Sequence, residues 1–334
     1  MRASKSLSVL ARPPVRLAVM LIAALAATAA SAVAVPGLYE ATVSGEAADA
    51  SKSAEEALRL VAVKLTGRRS AATDPGLGGL YGDARRYVQT LRSAGAGQVT
   101  VSFDPAALDA ALVQAGQPLW SRERPATLVL LESERAGGTP LLAAPDASQR
   151  RVMEQAAGER GLPLVWPPAG MLEVSSAALQ VPGAQRDAAL LDVAHRYRAE
   201  AVLLGRMSGS EIVWSALGPG AGAVLGGDAS QVVHELADHY AQTLATSATA
   251  GVTKSLVIVS GITDLKTYAA TLAYLGALSD VRSVEVDEAS ANTVRYLVDF
   301  RGDSAALERA LRLGGQLAAE PGTGDAALHF RRLP

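Results

Sequence analysis

The sequence predicts an α/β protein, α+β overall, that consists of three units. Short apolar runs of strand length alternate with longer stretches whose apolar residues recur at helical spacing. The order of these elements changes along the chain, which indicates separate domains. A polar, proline-ending stretch and a later small-residue stretch separate the units. We therefore predict a small α+β domain at 35–122, a three-layer α/β domain at 123–248 and a ferredoxin-like βαββαβ domain at 252–334.

Length and composition fit several domains without disulfide bonds. A chain of 334 residues is longer than one hydrophobic core usually supports. Hydrophobic residues make up 49% of it and aromatic residues only 4%, so Ala, Val and Leu must fill the cores. Because cysteine is absent, packing alone has to stabilise the fold.

Residues 1–34 have the pattern of a secretory signal peptide. Four basic residues, the last of them Arg16, precede an apolar stretch from Leu17 to Ala30, and Ala32-Val33-Ala34 suits cleavage. The alternative is an uncleaved anchor, although the apolar stretch is shorter than a spanning helix needs. We expect export to the periplasm and no spanning segment after cleavage. The remaining chain is acidic, which argues against a nucleic-acid partner.

In the first unit, local signals predict two strands and three helices. Ser53 and Glu56 have capping-box spacing, and Gly67 stands where a left-handed residue ends a helix. Asp104 and Pro105 form a capping acid followed by a proline in the first turn. The predicted elements cover residues 39–43, 53–65, 83–91, 99–103 and 105–115.

The middle unit alternates strands and helices in the manner of parallel-sheet proteins. Its centre is the stretch from Ala199 to Leu217, where Ala201–Leu204 is an apolar run typical of a strand covered on both faces. Ser208-Gly209-Ser210 marks a turn into a less buried strand that contains Trp214. A buried helix is the alternative, which the flanking glycines disfavour. The other predicted elements cover residues 127–131, 148–160, 162–166, 184–198 and 230–246.

The third unit follows the order β-α-β-β-α-β of a ferredoxin-like fold. Asp264 is predicted to cap its first helix, and Asp303 or Ser304 its second. Alternation from Val294 to Phe300 marks its clearest strand. A final edge strand is predicted at residues 326–330.

Several phrases of the sequence together resemble the bacterial family called domain of unknown function 2066. They are VAVKLTG at Val61–Gly67, RYVQ at Arg86–Gln89, AEAVLLGR before Met207, and VSFDPAALDAALVQAGQPLW at Val101–Trp120. The resemblance implies an exported protein of Gram-negative bacteria and supplies no catalytic or ligand-binding residues. It also implies a middle domain like the amino-terminal part of the translocation protein TolB.

Motifs for metal and phosphate binding fail on spacing. His234 and His239 lie five residues apart, whereas two zinc ligands on one helix face need four. The glycines from Gly218 to Gly227 do not match a dinucleotide fingerprint, and Asp228 would compete with a phosphate for the amides of the next helix. No serine elbow occurs. We therefore predict no cofactor, no metal and no catalytic residue.

The remaining candidates for binding are Arg206, Ser208 and Trp120. Arg206 and Ser208 follow the apolar run, at the strand end where open α/β sheets place ligands. Trp120 is either a wedge between the first two units or an exposed contact for a partner. We predict a non-enzymatic binding or assembly protein of the cell envelope, with another envelope protein as its partner. The alternatives are a small-ligand or glycan binder with a cleft between the first two domains, and a hydrolase.

Overall fold

The computed structural model describes residues 35–45, 49–134, 140–168, 172, 176–208, 211–219, 222, 224–322 and 326–333. The predicted signal peptide and the turn at Gly209-Ser210 lie outside these residues. Within them, the strands form three sheets and alternate with helices, which confirms the predicted α/β class. A search of the same residues finds no helix with the length and hydropathy to cross a membrane.

The first unit packs a long helix against a three-stranded antiparallel sheet in the order β1-β3-β2. Alternate strand residues, such as Val99, Val101 and Phe103, are buried on the face toward this helix, α1. The elements are β1 (Glu40–Ser44), α1 (Ala50–Thr66), α2 (Gly78–Gly82), β2 (Val88–Gly95), β3 (Gln98–Phe103) and α3 (Pro105–Gln114).

Local signals in this unit were correct at two caps and wrong at two other places. Gly67 has φ of +68° at the end of α1, and Asp104 accepts a hydrogen bond from the Ala107 amide at 2.9 Å. The predicted capping box is wrong, because α1 begins at Ala50 and Ser53 is buried inside it. The predicted helix at 83–91 is also wrong. That stretch is a 3₁₀ turn followed by β2, whose mostly exposed side chains leave no apolar alternation.

The middle unit has a mixed sheet between two helical layers. β4 and β7 are parallel, β7 and β8 form the predicted antiparallel pair, and β5 and β9 are short edge strands that the sequence pattern did not predict. The strands are β4 (Thr127–Glu134), β5 (Pro140–Ala143), β6 (Leu164–Val165), β7 (Ala201–Ser208), β8 (Glu211–Leu217) and β9 (Val224–Leu225). The helices are α4 (Ala147–Arg160), α5 (Ala184–Arg196) and α6 (Ala229–Leu244).

Strand β7 is buried on both faces, as its apolar run predicts. Ala201 and Leu203 pack in the hydrophobic cluster that contains residues of α4 and α6. Val202 and Leu204 pack in a second cluster that contains residues of α5. At Gly205, an added Cβ would lie 2.7 Å from the Leu131 side chain and 2.8 Å from Trp214, so glycine lets the neighbouring strands' side chains meet there.

The third unit has the ferredoxin-like helix and strand order with one inserted strand. Its sheet order is β11-β12-β10-β14-β13, and the helices are α7 (Leu265–Ala277) and α8 (Ser304–Leu313). β14 runs parallel to β10 inside the sheet instead of forming the predicted edge, which β13 occupies. The strands are β10 (Val252–Ser260), β11 (Val281–Ser290), β12 (Thr293–Arg301), β13 (Leu317–Ala319) and β14 (Leu328–Arg332).

Candidate ligand-binding cleft

A cleft of about 410 Å³ lies between the first and third units. One wall comes from α3, through Ala106, Asp109, Ala110 and Val113, and the opposite wall comes from residues 279–282 with Arg301. The segment from Leu119 to Arg122, which leads from the first unit into the middle unit, completes the lining. The alternative prediction placed a cleft between the first two domains, but buried side chains fill that boundary.

The first two units are held together by two buried arginines. Arg124 donates to the Lys64 carbonyl at 2.6 Å and to the Arg160 and Gly161 carbonyls at 2.9 and 2.8 Å. Arg160 donates to the Gly67 carbonyl and to Asp238, each at 2.6 Å. These bonds satisfy carbonyls at the ends of α1 and α4, which carry partial negative charge. Burial lowers the pKa of the Arg124 guanidinium to about 9.

The α3 wall of the cleft carries a network of Tyr39, Asp109 and Arg122. The Tyr39 hydroxyl lies 2.9 Å from each oxygen of Asp109, and Arg122 Nη2 lies 3.4 Å from Oδ2. Burial raises the pKa of Asp109, although the Tyr39 hydrogen bond and Arg122 oppose the rise. Burial and the Asp109 charge both raise the pKa of Tyr39, so the hydroxyl remains a donor at neutral pH. Asp109 is therefore satisfied without a ligand.

The opposite wall carries a buried ion pair between Asp280 and Arg301. Arg301 Nη2 and Nε lie 2.5 and 3.0 Å from Asp280 Oδ1, and the exposed fractions of the two side chains are only 7% for Arg301 and 4% for Asp280. The Thr246 hydroxyl donates to Asp280 Oδ2 at 3.0 Å. Both oxygens of this carboxylate therefore also have donors.

Several N–H groups on the cleft residues lack an acceptor. Within the described part of the chain, Trp120 Nε1, Arg122 Nε and Arg301 Nη1 are buried without a hydrogen-bond partner. All three residues line the cleft. An unpaired buried donor costs free energy. These donors belong to residues of the cleft lining but are themselves shielded from solvent, so a ligand reaches them only after the lining side chains shift. The carboxylate oxygens of the lining already have donors.

The segment from Leu119 to Arg124 contacts all three units. The Trp120 amide donates to the Leu65 carbonyl at 2.8 Å, and Leu119 pairs with Thr246. The Arg122 amide and the Glu123 carboxylate both bond the Ser279 hydroxyl, at 2.9 Å each. A ligand in the cleft would therefore touch the segment that joins the units.

The structure brings the predicted site residues to two separate places. Trp120 lines the cleft but is only 2% exposed, because Arg124 stacks 3.9 Å from its ring centroid and the Tyr240 ring lies 6.4 Å away. It is therefore not an exposed contact for a partner. Arg206 and Ser208 lie together on β7, where Arg206 Nε donates to Glu132 at 2.8 Å. They do not line the cleft.

The residues of the metal and phosphate hypotheses have structural roles. His234 Nε2 lies 3.8 Å from Glu159, and burial lowers the pKa of His234. Among the residues with defined positions, no cluster of three His, Asp or Glu side chains suits a metal ion. Asp228 accepts the Ser230 and Gln231 amides at 2.9 and 2.8 Å, so it occupies the helix start where a phosphate would bind.

The main cleft residues escaped sequence reasoning because they come from distant positions. Tyr39, Asp109, Arg122, Asp280 and Arg301 belong to elements that meet only in the folded chain. Asp109 gave the only local signal, as an acid within an alanine-rich helix whose buried side is formed by Leu108 and Leu112.

Residues 32–121 match the model of a family described as Domain of unknown function (DUF8605). The resemblance to domain of unknown function 2066 is therefore wrong, since the matching family is a different one and covers the most specific phrase, Val101–Trp120. Neither a curated protein nor a solved structure matches the chain. The match includes Tyr39 and Asp109 of the cleft, but Arg122, Asp280 and Arg301 lie outside it.

Proposed function

We propose that this chain is an exported binding protein of the cell envelope that performs no catalysis and whose ligand occupies the cleft between the first and third units. The observation that carries the proposal is the set of unpaired donors on Trp120, Arg122 and Arg301. Concave sites with a few polar groups among apolar side chains are where small ligands usually bind.

Hydrolysis is less well supported by the cleft. Ser121 and Ser279 line it, and both hydroxyls bond the Glu123 carboxylate. A serine nucleophile needs an adjacent base that can accept its proton near neutral pH. None of the four histidines lines the cleft. We therefore favour binding over acyl transfer.

Assembly with another envelope protein is a second candidate, supported by two long exposed edge strands, β2 and β11. Such edges can pair with a strand of another chain. Both strands, however, contain register shifts, and β11 carries Glu285, Asp287 and Glu288. Bulges and charges are the devices that prevent edge pairing. Crosslinking in the periplasm with mass spectrometry tests this candidate, and a protein recovered above background would favour it.

Native mass spectrometry of the purified chain, mixed with a small-molecule extract, tests the cleft. A bound small molecule is expected on the wild type and on Ala107→Trp, because Ala107 is exposed on α3 and does not line the cleft. Ala110→Trp should lose it, because Ala110 is exposed and lines the cleft. Equal binding by both variants would contradict the proposed site. Amino-terminal sequencing of periplasmic protein tests export, with a start near Val35 expected.

A further inference from the structure

We infer that the cleft between the first and third units binds a small carboxylate anion that carries a short apolar group. This inference rests on the proposed function, since it names the ligand class for the same site. Its starting point is the mismatch between donors and acceptors in the lining. Asp109 and Asp280 use both their oxygens within the protein, whereas three buried N–H groups of the lining have no acceptor among the residues that the structure describes.

The charge of the lining selects an anion. Two acids, Asp109 and Asp280, face three arginines, Arg122, Arg282 and Arg301. Arg282 is exposed and has no acidic partner within the described part of the chain. The nearby Glu123 carboxylate is bonded by the Ser121 and Ser279 hydroxyls, so the charge around the cleft is balanced overall and Arg282 is the cation of the lining without an ion-pair partner among the residues with defined positions. An anionic group on the ligand would pair with Arg282.

The shape of the donors favours a carboxylate. Arg122 and Arg301 present planar guanidinium groups, which match the two oxygens of a carboxylate better than a lysine ammonium would. A neutral sugar would instead need an open aromatic face. The cleft offers none, because Arg122 lies over the Tyr39 ring at 5.7 Å and Trp120 is covered by Arg124 and Tyr240.

The rest of the lining calls for an apolar group beside the charge. Small apolar side chains from both walls and the connecting segment face the cleft, namely Ala106, Ala110, Val113, Leu119 and Val281. The volume of about 410 Å³ is at the lower end for ligand sites. An inorganic anion would leave these side chains without a contact. A compact acid such as an N-acylated amino acid, or the carboxyl terminus of a peptide, fits both features.

Isothermal titration calorimetry on the full chain tests the ligand class with matched probes. N-acetyl-valine is expected to bind, and N-acetyl-valinamide, which replaces the carboxylate with a neutral amide, to bind at least about tenfold more weakly. The tripeptide Ala-Ala-Val and its carboxy-terminal amide distinguish the sources. Tighter binding of the free tripeptide than of N-acetyl-valine assigns the site to peptide termini, and weaker binding assigns it to free small acids.

Two variants test whether the carboxylate of the ligand binds the arginines of the cleft. Arg282→Ala should weaken N-acetyl-valine binding several-fold and Arg122→Lys about tenfold, because lysine lacks the Nε donor and the planar fork. Arg312→Ala, which removes an exposed arginine of α8 outside the cleft, should leave the affinity unchanged. Circular dichroism confirms that each variant is folded.

Two results would overturn the inference while leaving the proposed function intact. One is equal affinity for N-acetyl-valine and its amide, and the other is no binding of any probe to a protein that still carries a small molecule by native mass spectrometry. If native mass spectrometry also detects no bound small molecule, the proposed function itself fails. If the affinity for N-acetyl-valine is unchanged in both Arg282→Ala and Arg122→Lys, the carboxylate of the ligand does not bind these two arginines.

Discussion

Arg124 and Arg160 place two positive charges in the boundary between the first and middle units, where carbonyl oxygens replace water. Arg160 is 1% exposed and contacts α6 as well as the end of α1. Nothing local in the sequence distinguishes a buried arginine such as Arg124 or Arg160 from an exposed one. The distinction comes from carbonyls that are distant in sequence.

Replacing Arg160 with alanine should lower the free energy of unfolding by ~3–5 kcal/mol, because the Gly67 carbonyl and Asp238 lose a buried partner. Urea denaturation measures this loss. Arg151→Ala is the control, since Arg151 is exposed on the same helix and should cost less than ~0.5 kcal/mol. Similar losses of unfolding free energy in the two variants would show that Arg160 contributes no more to stability than an exposed arginine.

Gly67 combines a left-handed backbone with a close contact. Its φ is +68°, and an added Cβ would lie 2.2 Å from Ala241 Cβ on α6. Gly67→Ala should therefore destabilise the chain by more than ~2 kcal/mol. Gly116 has φ of +76° with nothing within 4 Å of an added Cβ. Gly116→Ala should lower the stability measured by thermal denaturation by only ~1 kcal/mol. An equal loss in the two variants would show that the close contact with α6 contributes nothing to the cost at Gly67.

At the scale of elements, sequence patterns predicted what local chemistry specifies. Asp104, Asp264 and Asp303 all cap helices where the sequence placed them, and the alternation from Val294 to Phe300 is a strand. Strand β2 was missed because a polar edge strand forms through backbone pairing and shows no apolar pattern. The place of β14 inside its sheet depends on long-range pairing with β10, which spacing does not encode.

The starts of β4 and β7 are joined by Glu200, whose carboxylate accepts the Ala126 amide at 2.8 Å. Burial raises the pKa of Glu200 from 4.5 to about 7. The folded chain therefore holds this proton more tightly than the unfolded chain. The stabilisation is complete below pH 4.5 and is lost as the pH rises through about 7.

Glu200→Gln should remove this pH dependence, because the amide keeps an acceptor for Ala126 without a titrating proton. Between pH 5 and pH 8, the wild type is expected to lose ~2 kcal/mol more stability than the variant, a value reduced for partial exposure. Urea denaturation at each pH gives the comparison. Parallel pH profiles for the two proteins would assign the titration to other groups.

At the scale of the whole molecule, the segment from Leu119 to Arg124 makes the units interdependent. Its contacts reach α1, the Thr246 connection and Ser279 of the third unit. These contacts explain why the cleft could not be derived from the sequence. The first and third units contribute side chains that appear ordinary by themselves, and only their packing brings five polar groups together.

Differential scanning calorimetry should show the first and middle units unfolding in one transition. Arg124→Ala is expected to split it into two, because Arg124 bonds carbonyls of both α1 and α4. Arg151→Ala should keep one transition. A single transition at lower temperature in Arg124→Ala would mean that other contacts couple the units.

Strand β7 also limits how this protein can change by insertion and deletion. Its odd and even residues pack in different hydrophobic clusters, so adding or removing one residue would exchange the contents of the two layers. Compensation would require simultaneous change in α4, α5 and α6. An evolving lineage can therefore lengthen the exposed β2–β3 hairpin freely, whereas the length of β7 is expected to stay constant.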